Sequence, residues 1–212
     1  KPWKWKKHVL TPPYAPALRQ IIRQRLPTSV DIETGGRSAI KSRIRVIGFA
    51  NKHISVSLPW GVEMDLVKQI LEDPKIPKIG QNFIYDRTAL LYQHGVHVQG
   101  TIHDTLALHS ILAPGLKHDL AFQACVETHA PRWKDEFKAG AGDVKGKDDW
   151  DTRPLEDIQP YNAKDNDLQN FLYYRHLERL NDVSRGKEIY KEAQELAEIA
   201  LKMTVRGLKI DI

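Results

Sequence analysis

Residues 29–58 read SVDIETGGRSAIKSRIRVIGFANKHISVSL, and this stretch decides the fold. SVDIET has the pattern of a short strand and runs into Gly35-Gly36, a turn signal. IRVIGFA (44–50) and HISVSL (53–58) are rich in β-branched residues and are separated by Asn51-Lys52, which suits a tight hairpin. The three segments predict an antiparallel meander with two acids on its first strand. Asp31 and Glu33 stand two apart, so both side chains leave the same face of that strand.

Beyond the meander the period changes. Val62, Leu66, Val67 and Ile70 recur at helical spacing, and Pro74 and Pro77 end that helix. KIGQN then reads as a short buried strand, and Ile84 to Tyr92 as a helix closed by Gly95 with Asp86 in its first turn. DTLALHSIL (104–112) and HDLAFQACVET (118–128) predict two more helices around Pro114-Gly115. Residues 131–157, with Gly140, Gly142 and Gly146 among lysines and aspartates, predict a long loop or arm, and long loops are often functional. A helix follows from about Leu155 or Tyr161 to Leu180. A last one, from about Lys187 to Thr204, carries Ile189, Ala193, Leu196, Ile199 and Ala200 on one stripe. A meander followed by alternating helices and strands predicts an α/β domain, its mixed five-stranded sheet flanked by helices.

The first 28 residues place Pro12, Pro13, Pro16 and Pro27 around the basic stretch LRQIIRQRL, and read as a lead-in or linker outside the core. Residues 29–182 form the domain proper, and 183–212 a helical connection onward. The chain starts without Met and stops at KIDI, as a piece of a longer polypeptide would.

With 212 residues, 41% hydrophobic and 28% charged, the composition is that of a soluble globular protein, and no apolar run approaches a membrane span. The net charge of +5 favours a polyanionic partner. The opening KPWKWKKH sets four lysines beside two tryptophans, a pairing suited to phosphate attraction and base stacking, or to a solvated end. The one cysteine, Cys125, excludes an internal disulfide and reads as a buried helical thiol. Among nine histidines no paired zinc-ligand spacing occurs; His94, His97 and His103 read as surface positions around a turn.

Chemistry is concentrated in five residues. Tyr161 and Asp165 stand four apart at a helix start and so share a face. If the fold gathers them with Asp31, Glu33 and Asp86, four carboxylates converge, and such a cluster needs protons or cations. Oxygen-only ligands select hard divalent ions, Mg²⁺ or Mn²⁺. Asp104 competes as an acid but sits where it would cap a helix, and Asp167 falls on another face from Tyr161.

In order, DIET, NFIYD (82–86) and YNAKD (161–165) resemble the three motifs of the DEDD 3′→5′ exonucleases in their tyrosine form, which have a ribonuclease H-like fold. QNFIYDRTAL, IHDTLALHSIL, LKHDLAF and the closing RGLKIDI are similar to the proofreading domain of family A, DNA polymerase I-like enzymes. The likeness covers roughly Ser29 to Ile212 and includes no polymerase domain. It implies two-metal hydrolysis that releases nucleoside 5′-monophosphates. Asp31, Glu33 and Asp165 would hold the nucleophile-side ion, with Asp31 bridging to a second that Asp86 supports. Tyr161 would orient the attacking water, since a phenol of ordinary pKa near roughly 10 is a poor base at neutral pH.

The resemblance further implies substrate contacts at Thr34, Gly35, Asn82, Tyr85, Lys117 and Phe137, although Arg37 stands near where the family often has an apolar wedge. Lys134, Lys138, Lys145 and Lys147 are candidate phosphate clamps or solvated loop residues. The expected partners are single-stranded DNA 3′ ends or frayed primer termini and a polymerase domain in the full-length chain. The protein would act as a monomer in the cytoplasm of a bacterial or phage-infected cell. Two alternatives are a ribonuclease D-like RNA exonuclease and a catalytically inactive module that grips single-stranded 3′ ends.

Overall fold

In the computed structural model, residues 4–131, 133–134 and 150–207 are described. The strand carrying the acids, β2 (Thr28–Thr34), alternates as its sequence requires: Val30 and Ile32 are buried in the core while Asp31 and Glu33 leave the opposite face half-buried. It pairs antiparallel with β3 (Ile44–Ala50), Asp31 opposite Gly48, and β3 pairs antiparallel with β4 (Ser55–Pro59). Asn51 holds the turn between β3 and β4 by accepting the backbone N–H groups of His53 and Ile54.

Among the described residues the sheet has six strands, in the order β1 (His8–Val9), β4, β3, β2, β5 (Lys78–Gly80) and β6 (Ile102–Asp104). β5 and β6 extend it in parallel beside β2. Lys78, fully buried in β5, donates to the carbonyls of Asp73 (2.6 Å) and Gln99 (2.7 Å), and burial brings its pKa down to about 8.

The sixth strand corrects the expectation of five and of a linker up to residue 28. β1 (His8–Val9) pairs parallel with β4, and α1 (Ala15–Gln24) buries Ala17, Leu18 and Ile21 in the main core. The prolines that read as linker frame an amphipathic helix whose basic residues point outward.

α2 (Met64–Glu72), α3 (Ile84–His94), α4 (Thr105–Leu112) and α5 (Leu120–Glu127) fall close to their predicted places. Gly95 closes α3 at φ 65°, a left-handed conformation that glycine takes without strain. Cys125 is exposed on α5, contrary to expectation, because Leu120, Gln123 and Ala124 take the inner face. His103 is likewise not a surface residue: it packs between Tyr173 and Tyr190, and burial lowers its pKa to about 4.

α6 (Leu155–Arg179) crosses the face of β2–β4 on a stripe of polar side chains. Asn170 Nδ2 donates to Pro27 O and Ala50 O, Ser29 Oγ donates to Asn166 O, and Gln159 Nε2 donates to Ser57 O. At Gly48 a Cβ would lie 2.1 Å from Asn162 Oδ1, so only glycine lets the helix settle this close. After a 3₁₀ turn (Leu180–Asp182), α7 (Gly186–Arg206) is tied to α3 by a two-pronged Arg87–Glu198 ion pair at 2.6 and 2.8 Å, and it buries Tyr190 against Leu108 of α4 and Tyr173 of α6. On its predicted stripe, Ile189, Leu196 and Ile199 face outward, joined by Met203. No helix among the described residues is long and apolar enough to cross a membrane.

Candidate active site

Three elements meet over β2. Asp31 and Glu33 rise from its outer face, and Tyr161 and Asp165 descend from α6 one helical turn apart. Asp31, Glu33 and Asp165 each offer an oxygen within 4.8 Å of the others. Asp86 comes from the first turn of α3 and lies beside this triad. β5 pairs with β2 only at Thr28 and Ser29, which leaves the N–H of Ile32 open, and Asp86 Oδ1 accepts it at 3.0 Å.

Asp31 and Asp165 are each held by dedicated donors. Asn162 Nδ2 donates to Asp31 Oδ2 (2.8 Å) and Gln169 Nε2 to Asp31 Oδ1 (3.1 Å), both from α6. Trp133 Nε1 donates to Asp165 Oδ1 (2.5 Å), and Lys134 Nζ reaches Asp165 Oδ2 (3.1 Å). Asp167 points away from the site, buried and paired with Lys6 and His8. Asp104 caps α4 at Leu106 N and also accepts from Asn82 N and Phe83 N, which fixes the turn into α3.

The electrostatics are those of a cluster short of positive charge. Desolvation first, and the Asp165 charge second, push Asp31 up to about 7. Desolvation and neighbouring carboxylates also raise Glu33 and Asp86 well above the usual range. Asp165 is raised by burial against the opposing pull of Lys134 and Trp133. Burial pulls the Lys134 ammonium down, but Asp165, Tyr161 and Glu33 outweigh it and leave its pKa above normal. Burial and the Asp165 charge raise Tyr161, so its phenol stays protonated. With one lysine beside them, four crowded acids can all ionise only if further positive charge enters, and the all-oxygen donors fit hard divalent cations.

Beside Glu33 opens a cavity of about 400 Å³ lined by Thr34, Gly36, Arg37, Tyr85, Trp150 and Tyr161. Thr34 Oγ1 and Tyr85 Oη are 2.7 Å apart, and Tyr85 Oη also donates to Gly36 O. Gly35 lies so near residue 151 that a Cβ would fall 1.6 Å from Asp151 Oδ1. The segment from Trp150 to Arg153 is clamped there by Arg45, which donates to the carbonyls of both residues.

Thr34, Gly35 and Tyr85 are thus brought to the acid cluster. Asn82 sits exposed on the turn before α3 at φ 56°, and Lys117 lines a neighbouring cavity of about 260 Å³ walled by Trp133 and Lys134. Phe137, Lys138, Lys145 and Lys147 lie outside the described residues.

Sequence reading missed Asn162, Gln169, Trp133 and Trp150. The first two had a signal: Asn162, Asp165 and Gln169 fall at i, i+3 and i+7, one polar face on a helix that must cover a sheet. The tryptophans had none, because they flank a stretch without periodicity.

The frame and the acid cluster together define a ribonuclease H-like nuclease. The family model for the 3′-5′ exonuclease domain of the DNA polymerase A group matches residues 17–174, and the chain belongs to this 3′-5′ exonuclease family. It is 30% identical over 163 residues to DNA polymerase I of Synechocystis sp. (strain ATCC 27184 / PCC 6803 / Kazusa), covering 75% of this chain but 16% of that protein. Among solved structures it is similar to Escherichia coli RNase D, an exoribonuclease involved in structured RNA processing (TM-score 0.64, 15% identity, 94% of this chain and 51% of that one). It is also similar to Brucella melitensis NrnC bound to pGG (TM-score 0.64, 18% identity, 88% of each chain). NrnC has been solved with bound Mg²⁺ as well (TM-score 0.55, 17% identity, 87% of this chain and 90% of that one). The domain is therefore a phosphodiester hydrolase that works from nucleic acid 3′ ends.

Proposed function

We propose that this domain is a metal-dependent 3′→5′ DNA exonuclease that trims mispaired or frayed primer ends and releases nucleoside 5′-monophosphates. The observation that carries the reading is the convergence of Asp31, Glu33 and Asp165 within 4.8 Å on an exonuclease frame. These three would hold an ion on the nucleophile side, and Asp31 with Asp86 would hold a second. Mg²⁺ or Mn²⁺ suits the all-oxygen set. Divalent ions held there supply the Lewis acidity that activates water and neutralises charge on the scissile phosphate and the departing 3′-oxygen.

The chain's own groups set the geometry around that chemistry. Tyr161, protonated across the neutral range by burial and by Asp165, orients the water as a hydrogen-bonding group and does not serve as the base. Asn162 and Gln169 fix the Asp31 carboxylate, so its oxygens need no reorganisation when a cation or substrate arrives. Thr34, Gly35 and Tyr85 take the terminal nucleotide in the cavity next to Glu33, where the 150–153 segment closes one side. Asn82, Lys117 and Phe137 contact the strand beyond it, Lys117 at a phosphate and Phe137 against a base.

DNA is favoured over RNA by the 30% identity to a DNA polymerase I and by the LKHDLAF and RGLKIDI segments. A polymerase domain in the full-length protein is supported by the same relative. The outward apolar stripe of α7 is a further support, being the kind of surface a neighbouring domain covers.

The test is degradation of 5′-labelled single-stranded DNA and matching RNA with Mg²⁺, with and without chelator, beside Asp31→Ala. A chelator-sensitive ladder shortening from the DNA 3′ end, absent in the variant, is the expected result. Preference for RNA would replace DNA as the substrate. Retained 3′-end binding with no cleavage in Mg²⁺ or Mn²⁺ would make the domain a binding module.

A further inference from the structure

Both oxygens of Asp165 are occupied, by adjacent residues of opposite character. Trp133, buried at 3% exposure, donates its indole N–H to Oδ1 at 2.5 Å. Lys134, whose side chain is 29% exposed, holds Oδ2 at 3.1 Å. A lysine head on a flexible stem can withdraw to solvent. An indole offers one donor in one direction and has no acceptor with which to rearrange.

The tryptophan is also boxed in. It belongs to a cluster with Leu120, Ala124, Leu168 and Leu172, and its free edge meets Trp5 edge-to-face at 6.3 Å and 74°. Trp5 is in turn anchored, because Lys6 donates its backbone N–H to Asp167 Oδ2 at 2.9 Å and its ammonium pairs with Oδ1 of the same carboxylate. Trp5, from the basic-aromatic opening that composition associates with nucleic acid, thus touches the indole that holds Asp165.

We propose that Trp133 is the positioning residue for Asp165. It pins Oδ1 and so sets the plane of the carboxylate, leaving Oδ2, the oxygen now held by Lys134, to a divalent cation, while Trp5 braces the indole. This rests on the reading of Asp165 as a metal ligand. Partners that orient metal-bound side chains typically contribute 10–100-fold in metal affinity, so loss of the indole N–H belongs at roughly 10-fold. Trp5, acting one ring further away, has a smaller effect of the same sign.

The test is Mn²⁺ binding to the whole chain without nucleic acid, followed by electron paramagnetic resonance, together with the Mn²⁺ dependence of exonuclease rate. Compared are wild type, Trp133→Phe, Trp5→Ala, Asp165→Asn and a chain with benzothienylalanine at position 133, which keeps the indole shape without the N–H. The proposal expects about 10-fold weaker Mn²⁺ binding in both position-133 variants, seen far more in the metal dependence of the rate than in the rate at saturating metal. It expects a smaller loss in Trp5→Ala. Should Trp133→Phe fail to fold, the isosteric benzothienyl chain decides. Unchanged Mn²⁺ affinity in that chain, with Asp165→Asn weakened, overturns the role of Trp133 and leaves the metal site standing. Wild-type affinity in Asp165→Asn overturns the metal-ligand reading itself, and the proposal with it.

Discussion

Asp86 Oδ1 accepts the backbone N–H of Ile32, the residue between Asp31 and Glu33, at 3.0 Å. One carboxylate therefore locks α3 to the catalytic strand and adds charge to the site. The two duties separate by substitution. Asp86→Asn keeps an acceptor for Ile32 and loses the charge, so it should fold with unchanged or higher Tm in chelator and lose roughly 10²-fold or more in rate. Asp86→Ala should lose the rate and also about 1–3 kcal/mol of stability, because the Ile32 N–H is left unpaired. Denaturant titration beside single-turnover kinetics measures both.

Protons and cations compete for the acid cluster. Asp31 is raised to about 7, with Glu33 and Asp86 also raised, while in the unfolded chain such groups titrate near about 4. The metal-free folded protein binds more protons than the unfolded chain between those values, so its stability should fall as pH rises from about 4 through 7. Saturating Mn²⁺ should abolish the fall. Tm against pH in chelator and in Mn²⁺ checks this; a metal-free Tm that rises across the window would refute it.

Lys134 is the one cation of the described residues that contacts Asp165. Lys134→Met should lower stability in chelator at pH 8 by about 1–3 kcal/mol, since a buried carboxylate loses a charged partner. The gap to wild type should close at saturating Mn²⁺. A gap that persists there would mean the lysine supports the fold and not the charge balance.

Gln169→Leu removes a donor that lowers the Asp31 pKa. Its acid form should persist to higher pH, and the acid limb of the pH–rate profile at subsaturating Mn²⁺ should move upward. A profile superimposable on wild type would remove Gln169 from the site.

Far from the acids, Glu198→Ala should cost roughly 1–3 kcal/mol, because it leaves the buried Arg87 guanidinium without its two-pronged partner. Mn²⁺ affinity should not change. Equilibrium unfolding with a parallel Mn²⁺ titration distinguishes this support of α7 from any role at the site.

Much of this was legible where the chain has strict periodicity. Strand alternation put Asp31 and Glu33 on one face, and a helical step of four put Tyr161 over Asp165. The sixth strand was hidden because two residues, His8–Val9, are too few for alternation to register. Leu18 and Ile21 were obscured by surrounding prolines and arginines, although their spacing is that of a buried face. Trp133 could not be read as a donor to Asp165, since that contact spans 32 residues and depends on tertiary packing alone. Cys125 shows the opposite failure: an apolar residue type outside, because Gln123 earns the inner position through its hydrogen bond to His118 O.

In the proposed function, Asp31, Glu33 and Asp165 form a divalent-cation site that drives hydrolysis at a 3′ end. The most direct measurement titrates Mn²⁺ into wild type and Asp31→Asn, counting bound ions and single-turnover cleavage of a single-stranded DNA in the same samples. Cleavage that rises with occupancy in wild type, with both occupancy and cleavage lost in the variant, is the predicted result. Cleavage that survives chelator, or an Asp31→Asn protein that binds Mn²⁺ and cuts as wild type does, would contradict it.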